Sequence, residues 1–369
     1  MLHIDNIRKS MKALITSGGK GARLRPLTHT SNKHLIPLAN KPMIHYAIEA
    51  VVQAGIKDIG IVINPETGDE IKGALGNGDK WGVRFTYILQ EAPLGLAHVV
   101  KVSQDFIKEA PFVFYLGDNI LVGGIQRFIE EFFKNKINCQ LVLAKVKEPQ
   151  RFGVAEIKDG RVIRVEEKPK NPRSPFAVTG IYIYDHSIFE AVNNITPSAR
   201  GELEISDTHQ YLISNGFVVG YSEITGWWKD TGKPEDLLEA NRLILDGIID
   251  GGEPKIMGKV DSSSDIVGKV IIEEGAKVIK STIRGPVIIG ENTLVEDSYI
   301  GPFTSIYYGC EIKNSEIEYS IVLENCKIID TDTRIERSLL GREVKIYKNN
   351  SKPHTQRFIL GDQSTVELT

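Results

Sequence analysis

From Lys12 to about Asp246 the chain alternates between short apolar runs and longer segments with apolar positions at helical spacing. "KALITS" is centred on the apolar residues Ala13, Leu14 and Ile15 and predicts a buried strand. "PMIHYAIEAVVQAG" predicts an amphipathic helix closed by Gly55, and "DIGIVIN" predicts the next strand. "VRFTYILQ", "FVFYLGD" and "QLVLAKV" are further β-rich runs separated by helical segments. Strands alternating with helices imply an α/β domain with a mainly parallel sheet, and ligands then bind beyond the carboxyl ends of its strands.

After "DGIIDGGEPKIMGKV" the periodicity changes, and no helical pattern follows. Aliphatic residues recur every 17 positions, as Ile266, Ile283, Ile300 and Ile317 in one series. Ile272, Ile289, Ile306 and Leu323 form a second series, and Val278, Val295, Ile312 and Ile329 a third. Three aliphatic corners per repeat suit a triangular stack of short parallel strands. "IGENTL" and "IGPFTS" resemble hexapeptide repeats, which implies a left-handed parallel β-helix of about four coils. The expected organisation is an N-terminal extension at 1–10, a catalytic domain at 11–246, a linker at 247–264, the β-helix at 265–348 and a tail at 349–369.

Composition narrows the functional classes. With 369 residues, 41% apolar and 25% charged, the chain reads as two soluble globular domains. A net charge of −3 offers no global polycation for nucleic acid or an anionic membrane, so neither is expected as a partner. Three scattered cysteines (Cys139, Cys310 and Cys326) make neither a disulfide framework nor a zinc cluster. The first residues have no apolar core of a signal peptide, and no stretch approaches a membrane span, so a cytoplasmic protein is expected.

The segment "ITSGGKGARLRPLT" directly follows the first strand. It fits neither of the two common phosphate loops: Lys20 precedes Gly21, and Leu24 stands where the dinucleotide fingerprint needs glycine. Gly18, Gly19 and Gly21 still let backbone N–H groups approach phosphates closely, and Arg23 and Arg25 can add charge-assisted contacts. His29, His34 and His45 fit no standard metal spacing and are expected in loops or at the surface. One of Trp227 and Trp228 is expected in the core.

The longer stretch "GGKGARLRPLTHTSNKHLIPLANKPMI" resembles the signature of sugar-nucleotidyltransferases, with Ala22 where the usual form has Thr or Ser. Further motifs follow in order: "QEAPLGLAHV", "LGDNI", "FGVAEI", "VEEKP", "FAVTGIYIYD", "PSARGELEISD" and "GWWKDTGKPEDLLEAN". The resemblance covers roughly residues 11–369 and is strongest to the branch acting on dTTP and glucose 1-phosphate. It implies a Rossmann-like catalytic domain and assigns roles along the chain. Arg23 would meet the departing pyrophosphate and Lys33 the α- and neighbouring phosphates; Gln90 and the Gly95 backbone would face the base. Gly153, Glu167, Val178 and Tyr182 would form the sugar pocket; Lys168 and Arg200 would hold the sugar phosphate. Asp118 and Asp230 would hold Mg²⁺.

Three alternatives stand beside this reading. An acyltransferase, which commonly uses a histidine base within such a β-helix, is disfavoured because no histidine occurs from residue 251 until His354. A non-catalytic homologue would be expected to lose the aspartates or lysines just named, all of which are present. A UTP-using enzyme keeps the same chemistry and is not separated from a dTTP enzyme by any single residue. The coil stack is expected to stabilise the catalytic domain or build a homo-oligomer rather than to form a second active site.

Overall fold

The run "KALIT" forms strand β1, Lys12–Thr16, whose Ala13, Leu14 and Ile15 are fully buried because the strand lies inside a sheet covered on both faces. The computed structural model describes residues 10–19, 21–247, 253–349, 352–353 and 355–368. The expected N-terminal extension therefore lies outside the described residues, except for Ser10. Two compact units emerge. One comprises the described parts of Met1–Lys20, Ser31–Leu35 and Met43–Asp230; the other comprises Gly21–Thr30, Ile36–Pro42 and the described parts of Thr231–Thr369.

The first unit is built on a nine-stranded sheet. Its strands are β1, β2 (Asp58–Ile63), β3 (Arg84–Leu89), β4 (Phe112–Leu116), β5 (Cys139–Lys145), β6 (Gly153–Lys158), β7 (Arg161–Glu167), β8 (Phe176–Tyr184) and β9 (Val219–Glu223). The order is β7-β6-β8-β4-β1-β2-β3, while β5 pairs with β8 and β9. The central run β4-β1-β2-β3 is parallel, and β8 enters antiparallel to β4, β5 and β6. Alternate side chains of β1 feed two cores: Ala13 and Ile15 pack with Ile48, Val51 and Phe128, whereas Leu14 packs with Val100, Phe114 and Leu141. Helix Met43–Gln53 forms where its pattern predicts, and Gly55 follows it with φ 85°.

The second unit is a stack of parallel coils. Three sheets run along it, two of six strands and one of five, all paired in parallel. They make five full turns and two strands of a sixth, which exceeds the four expected. The first coil starts at Lys255–Ile256, inside the stretch expected to be linker. The 17-residue repeat hides these end coils because their spacing departs from it: Lys255 pairs with Ile271 and Ile317 with Ile335. The turn after Ile317 is also one residue short, so Ile306 pairs with Val322 and Ile312 with Ile328. Val322 and Ile328, both fully buried, take the corners assigned by strict periodicity to Leu323 and Ile329. A ladder of serines stiffens one corner, where the Ser298 and Ser315 N–H groups donate to Ser281 and Ser298 hydroxyls at 3.1 and 3.2 Å.

Helix Pro234–Asp246, expected to close the catalytic domain, belongs to this second unit. Its fully buried Asn241 accepts from the Ala39 N–H at 2.8 Å and from the Ser305 hydroxyl at 3.0 Å. The segment carrying Gly21 and Arg23 is in the same unit, as a single 3-10 turn over Ala22–Leu24. Leu24 is buried, and Arg23 and Arg25 on either side of it are exposed.

Candidate functional site

The loop leaving β1 at its carboxyl end is held by two amide side chains and approached by a third. Asn32 Nδ2 donates to the Ser17 carbonyl at 2.8 Å, and Asn64 Nδ2 donates to the Gly18 carbonyl at 2.9 Å. Gln90 approaches from β3's end, its Oε1 lying 3.6 Å from where a Cβ on Gly18 would stand. A Cβ on Gly19 would lie 3.1 Å from Lys33 Cε, so this glycine sits directly against the lysine.

Lys33 donates to Asp118, which follows β4, the strand next to β1. Both side chains are largely buried, at 12% and 14% exposure. Burial alone would raise the Asp118 pKa. The Lys33 ammonium, His34 and the hydrogen bonds from Lys33 and Asn119 outweigh it and hold the carboxyl below the usual range. Asp118 caps no helix, because strand Asn119–Leu121 follows. That strand pairs with Trp228–Asp230, and the register sets Asp230 opposite Asn119, the immediate neighbour of Asp118. Asn119 locks the arrangement, donating to Asp118 Oδ1 at 3.0 Å and accepting from the Trp228 indole at 2.7 Å.

Asp118 and Asp230, one position apart across this ladder, each offer hard carboxylate oxygens. No group of three or more His, Cys, Asp or Glu side chains able to hold a metal occurs among the described residues. That sparse set fits Mg²⁺, which keeps several waters and takes phosphate oxygens as further ligands.

Gln90 is buried, and its Nε2 reaches the Gly95 carbonyl and His98 Nδ1, each at 3.2 Å. Gly95 has φ 98°, and a Cβ there would meet the Leu203 carbonyl at 2.4 Å, so only glycine fits. Burial, then the charge of Lys101, lowers the His98 pKa.

A second cluster gathers Gly153, Glu167 and Val178. Gly153 pairs with Glu167 across β6 and β7, and a Cβ on Gly153 would meet the Ser206 hydroxyl at 2.7 Å and Glu167 at 3.3 Å. Glu167 accepts from Ser206 at 2.8 Å and pairs with Lys168 at 3.2 Å. Lys168 has φ 43°, and its N–H donates to Phe152 at 3.0 Å. Tyr182 is buried, stacked on Phe114 at 5.6 Å, and burial pushes its phenol pKa up. Arg200 directs Nε and one terminal nitrogen at Glu204, at 3.1 and 2.7 Å, with Glu167 at 3.5 Å. Its Nη1 has no partner among the described residues. A cavity of about 600 Å³ opens beside Glu167 and Arg200, lined also by Arg164, Ser198, Glu204 and Asp207.

The first unit thus brings Gly18, Gly19, Lys33, Gln90, Asp118 and Asp230 around the ends of β1, β3 and β4, and groups Gly153, Glu167, Lys168, Val178 and Arg200 near β6 and β7. Gly21 and Arg23 belong to the other unit. Three expectations are corrected. His34 lies in the loop, in the 3-10 turn Lys33–Leu35, but it is buried and not at the surface, and it hydrogen-bonds Asn32 Oδ1 at 2.7 Å; burial, then Lys33, lowers its pKa to about 3. His45 is buried in the helix with its ring 5.0 Å from Trp81, and only His29 of the three is exposed. Neither Trp227 nor Trp228 is fully buried, and Trp228 instead meets Phe152 edge-on at 5.4 Å. Ser206, Asn119 and His98 were not singled out from the sequence, although each lies within or beside a motif that was.

The nucleotidyl transferase family matches residues 12–247. The chain is 48% identical over 360 residues to a glucose-1-phosphate thymidylyltransferase of Streptomyces griseus, covering 97% of this chain and 100% of that one. A Neisseria meningitidis protein of the same name is 38% identical over 237 residues, 63% of this chain and 82% of its own. A Bacillus anthracis protein crystallised with sucrose and described as a glucose-1-phosphate thymidylyltransferase superposes with a TM-score of 0.61 at 42% identity, covering 66% of this chain and 98% of that one.

Proposed function

The chain belongs to the nucleotidyl transferase family, and on that premise we propose that it is a glucose-1-phosphate thymidylyltransferase, joining dTTP and glucose 1-phosphate into dTDP-glucose with release of pyrophosphate. The full-length likeness to the Streptomyces griseus protein carries this reading. The geometry of the first unit supplies its chemistry.

Both reactants are anions, and two unit charges 4 Å apart at a protein surface repel by about 4 kcal/mol at an effective dielectric of about 20. A triphosphate facing a monophosphate has several such pairs, so one cation is not enough. Lys33, beside the Gly19 backbone, neutralises the α-phosphate region, and the loop's N–H groups hold the triphosphate. Lys168 and the open edge of Arg200 hold the sugar phosphate, while Glu167, fixed by Ser206, accepts from sugar hydroxyls. Gly153, whose missing side chain leaves room for Ser206 and Glu167, is proposed for the sugar pocket together with Val178 and Tyr182. The sugar-phosphate oxygen attacks the α-phosphorus in line with the departing pyrophosphate. The nucleophile is already anionic, so no protein nucleophile is needed and catalysis is positioning plus charge stabilisation.

Asp118 and Asp230 are the proposed Mg²⁺ ligands, and the ion would add charge neutralisation at the phosphates. Arg23 is proposed for the leaving pyrophosphate on its sequence motif alone. The cytoplasm is the proposed compartment, where three buried, unbridged cysteines are stable. One assay tests the reading: dTTP, UTP, CTP, ATP and GTP against several sugar 1-phosphates, followed by pyrophosphate release. The expected result is the highest kcat/KM for dTTP with glucose 1-phosphate; a higher value for UTP would make the protein a uridylyltransferase.

A further inference from the structure

Gln90 has two amide hydrogens and one amide oxygen, and the structure determines which of them face inward. The Gly95 carbonyl can only accept, so its 3.2 Å contact fixes Nε2 on that side. His98 Nδ1 stands 3.2 Å from the same Nε2. It must therefore accept the second amide hydrogen, which requires a neutral imidazole with its proton on Nε2. Both donors of Gln90 are then engaged. Oε1 has no hydrogen-bond partner among the described residues, and it lies 3.6 Å from the Cβ position of Gly18, on the side of the glycine-rich loop.

We propose that His98 is a positioning residue that removes Gln90's spare donor, so that the side chain offers the nucleobase an acceptor alone. Resting on the reading of Gln90 as base-facing, this makes His98 a determinant of base choice. A lone acceptor opposite ring N3 meets an N–H in thymine or uracil. In cytosine it meets a bare nitrogen, and two acceptors face each other. Without the imidazole, the second amide hydrogen turns free and can donate to cytosine N3, so rejection weakens. His98 is the third residue of helix Leu96–Val102, within the first turn after Gly95 with its φ of 98°, so its approach to Gln90 is set by backbone geometry.

The test compares dTTP with dCTP, which differ in the base and not in the sugar. His98→Leu is expected to raise KM for dTTP about three- to tenfold, the worth of one neutral hydrogen bond. The dTTP:dCTP ratio of kcat/KM should shrink by at least about threefold, with KM for glucose 1-phosphate unchanged. His98→Asn places an acceptor where Nδ1 stood and should restore the ratio. His98→Ala, read in the same assay on protein whose melting temperature is recorded, separates a packing fault peculiar to leucine from loss of the acceptor. An unchanged dTTP:dCTP ratio in His98→Leu and His98→Ala overturns the proposal. Gln90→Leu is the companion arm: if it abolishes discrimination while the His98 variants do not, the His98 role alone fails. If Gln90→Leu leaves discrimination intact, the base-facing reading fails and the role of His98 falls with it.

Discussion

Lys33 and Asp118 form an ion pair within a largely buried corner at the ends of β1 and β4, and Asn119 holds the carboxylate's other oxygen. The pair keeps a cation against the carboxylate proposed to receive the metal. Asp118→Asn keeps the side chain's shape, removes its charge and leaves one accepting oxygen where Lys33 and Asn119 now use two. It should lower kcat/KM by at least about 100-fold, as loss of a major electrostatic contact does. Asp230→Asn should do the same, with an unchanged far-ultraviolet circular dichroism spectrum for both at 25 °C. Pyrophosphate release at saturating Mg²⁺ measures the effect, and normal turnover in both variants would remove the metal assignment.

Lys168 is fixed at its backbone and free at its tip. Its φ of 43° and the 3.0 Å bond from its N–H to Phe152 set the chain direction, while its side chain is 49% exposed beside Glu167. A charge-assisted contact to a phosphate is worth about 1.5–3 kcal/mol, or roughly 10- to 150-fold in affinity. Lys168→Ala should therefore raise KM for glucose 1-phosphate by at least about tenfold and leave KM for dTTP within about twofold. Initial rates with each substrate varied in turn decide it; equal rises in both constants would point to general damage.

The sequence made the strands of the first unit legible because both faces of its central strands are covered, leaving continuous apolar runs. Lys33, Asp118 and Asp230 were legible as motif positions. Their linkage was not, because it depends on Asn119 and Trp228 meeting across a ladder between residues about 110 apart. His34 lies in the loop that "NKHL" suggests, yet Asn32 and burial make it part of the loop's support, and His45 is packed inside a helix. Helix Pro234–Asp246 carries a clear pattern, but a pattern does not say which unit receives its apolar face.

The coil register offers a sharper contrast. Strict 17-residue spacing puts Ile329 inside, whereas the short turn after Ile317 puts Ile328 there, fully buried and paired with Ile312. Ile328→Ala should cost about 2–5 kcal/mol, the usual loss for an aliphatic side chain truncated in a packed core. Ile329→Ala, at a half-buried position, should cost less than about 1.5 kcal/mol. Urea denaturation of the two variants side by side measures the difference. The reverse order would mean that the turn is not shortened.

Stability should also depend on pH through buried histidines. His209 is fully buried, its Nε2 lies 2.7 Å from the Tyr184 hydroxyl, and burial lowers its pKa from 6.5 to about 3. Above pH 6.5 the ring is neutral in both the folded and the unfolded chain, and it contributes nothing to the slope. Between pH 6.5 and about 3 the unfolded chain binds a proton that folded His209 refuses, so stability falls as pH falls. The expected slope is up to about 1.4 kcal/mol per pH unit for each such histidine. His34, lowered to about 3 as well, behaves the same way. His209→Gln cannot titrate and keeps a polar partner for Tyr184, so it should reduce the acid slope without abolishing it. Urea midpoints at pH 7, 6, 5 and 4 for both proteins give that slope, and identical curves would show that His209 takes up its proton while folded.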